Sequence, residues 1–425
     1  MQHQTMESYI EDKKNLYTSI HEFLEESDEN SEKLPQELIN IIRNQQIEDD
    51  GEEMHQFLEI IKSIGEHHHR DQYFNDRINQ LLLHYKDQIK QTLSNIKIFH
   101  IFENNKKIVH FLIKEGIMTI SDEIYKEMIN KTENNGKRYW HFFIPELEKF
   151  IGEKKMKFFK DELLKEDPTI FTNYEEKRQE GENDSYICSL IRQDSIIEFI
   201  AHINRYNISP LSQINPSIFE TNAFLIANNK TTLIEYSAFF GSIQIFQYLL
   251  MNKAELKPSL WLYTIHSKNA ELIHLLESNE VPPPRNYEQC FIESIKCHHN
   301  DIADYIENNF LVQKEINDQK REEIISNCIK YHNYLHFQND EIIDNGFFYL
   351  SFYHYDKLFE LLLKKKEKLI EKKMIQYPDI RTASENNEIE VIYHYLLKMK
   401  KIPKKYFDAT KIKQITIPSS VTSIG

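Results

Sequence analysis

The chain has 425 residues, 52 of them basic and 67 acidic, for a formal charge of −15; that length suits roughly two to three domains. Only 9 residues are glycine, which excludes collagen, serial glycine-rich phosphate loops and most all-β folds built on tight hairpins. The acidic balance repels phosphate backbones and anionic lipid, so nucleic acid is not an expected partner. Ile10, Leu16, Ile20, Phe23 and Leu24 place a loose apolar face on a helix over 7–26. Glu25 to Glu32 is acidic and reads as a loop. Pro35 opens a second helix carrying Leu38, Ile41 and Ile42, and Glu48 to Glu53 is an acidic break around Gly51. Helical runs follow at 54–64, 73–102 and 106–114. Lys165 to Ser185, polar and holding Pro168 and Gly181, is expected to be a linker. Pro282, Pro283 and Pro284 form a stiff spacer between two helical units. Met1 to Asn15 lacks the apolar core of a signal peptide, and no stretch approaches the roughly 18 apolar residues of a membrane helix. Cys188, Cys290, Cys297 and Cys328 make no disulfide framework. The expectation is a cytoplasmic protein without membrane insertion.

One helical signature recurs, two apolar residues, a spacer and two more. It occurs at Ile108-Val109, Ile196-Ile197, Ile245-Phe246, Leu272-Ile273, Ile302-Ala303 and Leu358-Phe359. A second feature sits at a fixed offset upstream of the middle copies, where a small residue precedes the leading apolar one: Cys188, Ser237, Thr264 and Ser294. Three residues before the last three of these come Ile234, Trp261 and Phe291. Small residues let two helices approach closely, and large ones fill the gap beside them.

This arrangement resembles an ankyrin repeat, best over Thr232 to Leu256 (TLIEYSAFFGSIQIFQYLLMNKAEL). Thr232, Ile234, Ala238, Gly241, Ile245, Leu249, Leu250 and Ala254 fall on matching positions, and Lys107 to Gly116 resembles a second helix with its terminal glycine. Leu233 and Glu235 replace the expected proline and histidine, and Gly241 is replaced in later copies by Lys268 and His298. Ile412 to Gly425 (IKQITIPSSVTSIG) is similar to the opening of a BspA-like leucine-rich repeat. Together with segments 133–150 and 294–306, the chain resembles trichomonad protist multigene families that join degenerate ankyrin-type units to such repeats. The resemblance implies a protein-interaction architecture with no activity attached. Ile412 to Gly425 is about half a repeat, whereas a stacked core takes roughly three units. The chain is therefore expected to be part of a longer protein, with this tail poorly ordered on its own.

Candidate chemistry is sparse. His67, His68 and His69 are adjacent and point in three directions, which suits a solvated turn better than a metal site. Cys290, Cys297, His298 and His299 fit no zinc spacing and read as core and turn around an inner helix. Gly136-Lys137 lacks the rest of a phosphate loop, and no catalytic motif of the metalloprotease or serine-hydrolase kind is present. The lysine-rich runs Lys364 to Lys373 and Lys398 to Lys405 carry no interleaved arginine or aromatic, so they read as solvated faces.

The sequence thus predicts an all-α protein, an ankyrin-like solenoid with a helical N-terminal region and a short C-terminal strand. Its expected parts are 1–100, helical; 101–185, a first ankyrin-like unit and linker; 186–405, the solenoid; and 406–425, the leucine-rich fragment. The expected function is non-catalytic binding of a protein partner, with no cofactor and no metal. A surface adhesin and a lysine-based binder of nucleic acid or anionic surfaces are the alternatives. In the ankyrin register Tyr236, Phe239, Phe240, Tyr263, His266, Glu293 and Lys296 face the concave side, while Ile234, Trp261 and Phe291 are buried between units. Either these concave residues form a partner surface, or the N-terminal helices fold back and cover them.

Overall fold

Helices take up most of the described chain, as scarce glycine and 3.6-residue apolar spacing require. The computed structural model describes residues 5–26, 34–67, 73–134, 136–228, 230–311, 318–336, 349–350, 353, 355–376, 401–402 and 423–424. The helices are α1 (Met6–Glu25), α2 (Gln36–Asn44), α3 (Gly51–His67), α4 (Phe74–His84), α5 (Lys86–Thr92), α6 (Asn95–Phe102), α7 (Lys106–Lys114) and α8 (Asp122–Asn130). After a 3-10 turn at Tyr139–Phe143 come α9 (Ile144–Leu147), α10 (Glu153–Glu166), α11 (Tyr174–Glu180), α12 (Tyr186–Arg192), α13 (Ile196–Tyr206) and α14 (Ala223–Ala227). The next are α15 (Leu233–Phe240), α16 (Ile243–Met251), α17 (Leu260–Ser267), α18 (Ala270–Ser278), α19 (Tyr287–Lys296), α20 (Asn300–Phe310), α21 (Asp318–Lys330) and α22 (Asp356–Gln376). The chain divides into two units, Ile20–Val312 and a second made of Met1–Ser19 with Gln313–Gly425.

In the second of these, Tyr17, Tyr334, Leu358, Phe359 and Leu362 are buried. The Tyr355 hydroxyl donates to the Ile329 carbonyl at 2.7 Å. Lys365 pairs with Glu7. Strands β1 (Lys401–Ile402) and β2 (Ser423–Ile424) pair in parallel, Lys401 opposite Ser423 and Ile402 opposite Ile424. His68, His69, the rest of the Lys398–Lys405 run and the rest of Ile412–Gly425 lie outside the described residues.

In Ile20–Val312, four helix pairs follow one another: α12/α13, α15/α16, α17/α18 and α19/α20. The first members pack in series, α12 on α15, α15 on α17 and α17 on α19, while α13 packs on α16. Cys188, Ser237, Thr264 and Ser294 sit one on each of these inner helices, and every one is 0% exposed. Small side chains there allow the close approach, and Ile234, Trp261 and Phe291 fill the space beside them, all buried. The Trp261 indole N–H donates to the Val281 carbonyl at 2.7 Å, which offsets burying its one polar atom. Side-chain caps fix several helix starts: Asn105 on α7, Asn222 on α14, Asn269 on α18 and Asn286 on α19. Thr232 and Glu235 form a reciprocal capping box at α15.

The bend after each inner helix is a left-handed residue. Gly241 has φ 70°, and Asp194, Lys268 and His298 take 46°, 52° and 58° at corresponding places. The glycine of the ankyrin-like pattern is lost in the other copies, yet the conformation it serves is kept.

The stretch Lys165–Ser185, expected to be a linker, lies within Ile20–Val312. It contains α11, which is held by charge. Arg178, 2% exposed, donates to Glu146 through Nη1 at 2.7 Å and Nη2 at 2.8 Å, to Glu175 and to the Phe142 carbonyl. A buried guanidinium with its donors matched this fully is costly to break, about 3–5 kcal/mol for loss of one partner.

Candidate interaction face

The seven residues expected on the concave side are brought together on α15, α17 and α19. The structure covers them. Tyr236 is 0% exposed and its hydroxyl accepts from Arg192 Nη1 at 3.1 Å. Tyr263 and His266 are buried, Phe239 is 8% exposed, and Phe240, Glu293 and Lys296 are half-buried. None of the seven is fully open, and four of them, Phe239, Tyr263, His266 and Lys296, touch a side chain that the repeat register does not contain.

That side chain is Phe224, on the short helix α14 in the connection between α13 and α15. Its ring stacks on Phe239 with centroids 5.8 Å apart, meets Tyr263 edge-on at 4.9 Å and lies 4.1 Å from His266. The Lys296 ammonium sits 5.7 Å from the ring centroid, and Tyr263 shares a 3.0 Å hydrogen bond with Thr231. Lys296 also pairs with Glu293, which packs beside His266 and so completes the cluster. Phe224 was legible only as part of an apolar run, Ala223 to Ile226, inside a polar connection.

Helix α3 closes the face, packing against α14. Ser63 Oγ is 3.1 Å from His298 Nε2, and His21 at the end of α1 reaches the His298 carbonyl at 3.0 Å. Lys268 pairs with Glu25. The aromatic rings themselves are covered by Phe224 of α14, and α1 and α3 reach the adjoining His298, Lys268 and α14.

Titratable groups are concentrated in this seam. His266 Nε2 lies 2.8 Å from Glu293 Oε1, and Lys296 Nζ lies 2.9 Å from the same oxygen. Burial pushes the Glu293 carboxyl up, but Lys296 and His266 outweigh it and hold it at about 2. Burial drives His266 down, opposed by Glu293, and drives His67 well below its ordinary value, helped by Lys296. The Glu66 carboxyl is raised to about 7, chiefly by burial, and its Oε1 has no hydrogen-bond partner. Cys297 Sγ is 3.4 Å from His266 Nδ1, and burial raises this thiol well above its ordinary value.

Chemically, His266, Glu293 and Cys297 have the order of a thiol–imidazole–carboxylate nucleophile. Cys297 is 0% exposed, so no substrate reaches the sulfur as folded. Their donor atoms lie within 4.8 Å of one another and could hold a metal ion; a second group, His100, Glu103 and Glu127, is exposed to half-buried. His298 and His299, expected in a turn, are buried and bonded there, His299 Nδ1 lying 2.8 Å from the Ile265 carbonyl. A shallow groove of about 210 Å³ opens elsewhere, lined by Pro210, Leu211, Ile234, Lys253 and Lys257. No helix among the described residues is long and apolar enough to cross a membrane. No family model, curated protein or solved structure matches the chain.

Proposed function

We propose that this protein is a non-catalytic interaction scaffold in the cytoplasm, built on ankyrin-like helical repeats that form a solenoid, with a protein as its partner. The observation that carries the reading is the serial packing of α12, α15, α17 and α19 with a fully buried small residue at the same place in each. A stack whose members touch only their neighbours gains surface with every unit and leaves it free for partners. The C-terminal strands belong, on this reading, to the start of a BspA-like leucine-rich repeat.

Exposed aromatic side chains support partner contact away from the covered face. Tyr186 and Tyr206 are 57% and 59% exposed, and His202 lies between them, edge-on to Tyr186 at 5.0 Å and tilted against Tyr206 at 4.8 Å. Rings left in water in a group are characteristic of interfaces. The test is cross-linked affinity capture with the full chain, comparing wild type with the Tyr186→Ser/Tyr206→Ser double variant. Loss of a stoichiometric partner in the variant, with thermal unfolding unchanged, supports the proposal. Absence of any stoichiometric protein partner, or capture that vanishes with modest salt, refutes it in favour of charge-driven binding.

A further inference from the structure

We propose that His266, Glu293 and Cys297 form a binding site for a zinc-type divalent cation that ties two consecutive helix pairs together. Glu293 and Cys297 are four residues apart at the end of α19, so they share one helix face. His266 comes from α17, the inner helix of the preceding pair, so an ion bound here bridges neighbouring repeats.

The donors are already gathered. All three lie within 4.8 Å of one another, with His266 Nε2 at 2.8 Å from Glu293 Oε1 and Cys297 Sγ at 3.4 and 3.6 Å from the two ring nitrogens. Zinc bonds of about 2.0–2.3 Å imply donor separations near 3.3–3.8 Å, so the imidazole and carboxylate would part by roughly 0.5 Å, and the ring would turn to aim one nitrogen at the ion, since the sulfur is nearly equidistant from both. One nitrogen, one oxygen and one sulfur suit zinc; magnesium and calcium take oxygen throughout.

Burial separates this role from catalysis. A nucleophilic thiol needs access to a substrate, whereas a metal ligand does not, and His266 and Cys297 are 2% and 0% exposed. The three side chains fill three of zinc's four positions, and a water would complete the tetrahedron. Charge balances as well. Without metal, Lys296 supplies the positive charge beside Glu293, at 2.9 Å. On binding, the Cys297 thiol loses its proton to solvent, and thiolate plus carboxylate cancel the two charges of the ion. The Lys296 ammonium then moves off Glu293; its side chain is 17% exposed, which leaves it a way to water. Ligands drawn from two repeats and lacking a paired-cysteine spacing explain why the sequence shows no zinc pattern.

The test uses the full chain, reduced and stripped of metal, titrated with cobalt(II) and then zinc(II). One equivalent of cobalt should give thiolate-to-cobalt charge-transfer absorption and the visible bands of a tetrahedral ion, both removed by zinc. The charge-transfer band should be lost in Cys297→Ser and kept in Cys290→Ser, which removes another buried thiol of α19. X-ray absorption of the zinc-loaded wild type, independent of how any variant folds, should show one sulfur among nitrogen and oxygen ligands. No saturable cobalt absorption, a band that survives Cys297→Ser, or a zinc spectrum of nitrogen and oxygen alone, as the His100, Glu103 and Glu127 group would give, overturns the proposal.

Discussion

Replacing Glu66 with glutamine should change how stability depends on pH more than it changes stability itself. The Glu66 carboxyl is buried, raised to about 7 from an ordinary 4.5, with His67 Nε2 at 3.8 Å and the charges of Lys62, Glu59, Lys131 and Lys296 around it. A carboxyl raised in the folded state binds more protons there than in the unfolded chain. Its contribution is therefore complete below pH 4.5 and is lost as pH rises through about 7. At about 1.4 kcal/mol per tenfold change, the loss is roughly 3 kcal/mol by pH 8. His67 and His266, both lowered, act in the opposite sense, weakening the fold as pH falls below 6.5, and Glu293 does so below 4.5. Those effects are common to both proteins and cancel in the difference. The assay is urea unfolding followed by tryptophan fluorescence, because both tryptophans, Trp140 and Trp261, are buried in the same unit as Glu66. Wild type should lose about 2.5 kcal/mol relative to Glu66→Gln between pH 5 and pH 8. Parallel curves for the two proteins would refute the assignment of a buried, charge-starved carboxyl.

Other expectations follow from the same geometry. Tyr236→Ala and Tyr263→Ala should each lower stability by about 3 kcal/mol in urea, and Tyr263→Phe by only about 1 kcal/mol, the worth of its bond to Thr231; changes under 0.5 kcal/mol would mean these rings are not core. Gly241→Ala should cost about 1 kcal/mol or more, since φ is 70° and the added carbon would sit 3.3 Å from Asn269 Nδ2. Lys268→Gly, at φ 52°, should cost less than Gly241→Ala in the same assay, and equal losses would deny that the two bends are equivalent. No gel shift of nucleic acid is expected at physiological salt; a shift abolished by Glu at Lys364, Lys365 and Lys366 would show that these lysines, Lys365 paired with Glu7 among them, bind phosphate.

What the sequence reveals depends on whether an interaction repeats. The small residues Cys188, Ser237, Thr264 and Ser294 recur at one offset because each solves the same packing problem, and all four are fully buried. The bends at Asp194, Gly241, Lys268 and His298 also recur, but as a backbone angle carried by four different residues, so only the glycine copy is readable. Asp194 has a further use there: its carboxylate accepts from the backbone N–H groups of Gln244 and Ile245, at 3.0 and 2.9 Å, capping the next pair's second helix. Helix α11 was hidden for another reason. Arg178 and its carboxylates replace an apolar face, and ion pairs leave no periodicity to read. The closure by α3 and Phe224 was open to conjecture only, because it joins segments far apart in sequence with no shared register.

That closure bears on where a partner can bind. Opening the face would expose Phe224, Phe239 and Tyr263, now between 4% and 8% accessible. At about 1.5–3 kcal/mol for each large side chain returned to water, the opening costs on the order of 5–9 kcal/mol before any partner contact forms. A partner can shift the equilibrium only by its differential affinity for the open form. Nanomolar binding corresponds to about 12 kcal/mol in all, so a partner using the covered face would spend roughly half of that on opening it. Tyr186 and Tyr206, already more than half exposed, carry no such cost. The Tyr186→Ser/Tyr206→Ser variant therefore tests the favoured surface, and substitution at Tyr236 or Tyr263 tests the fold.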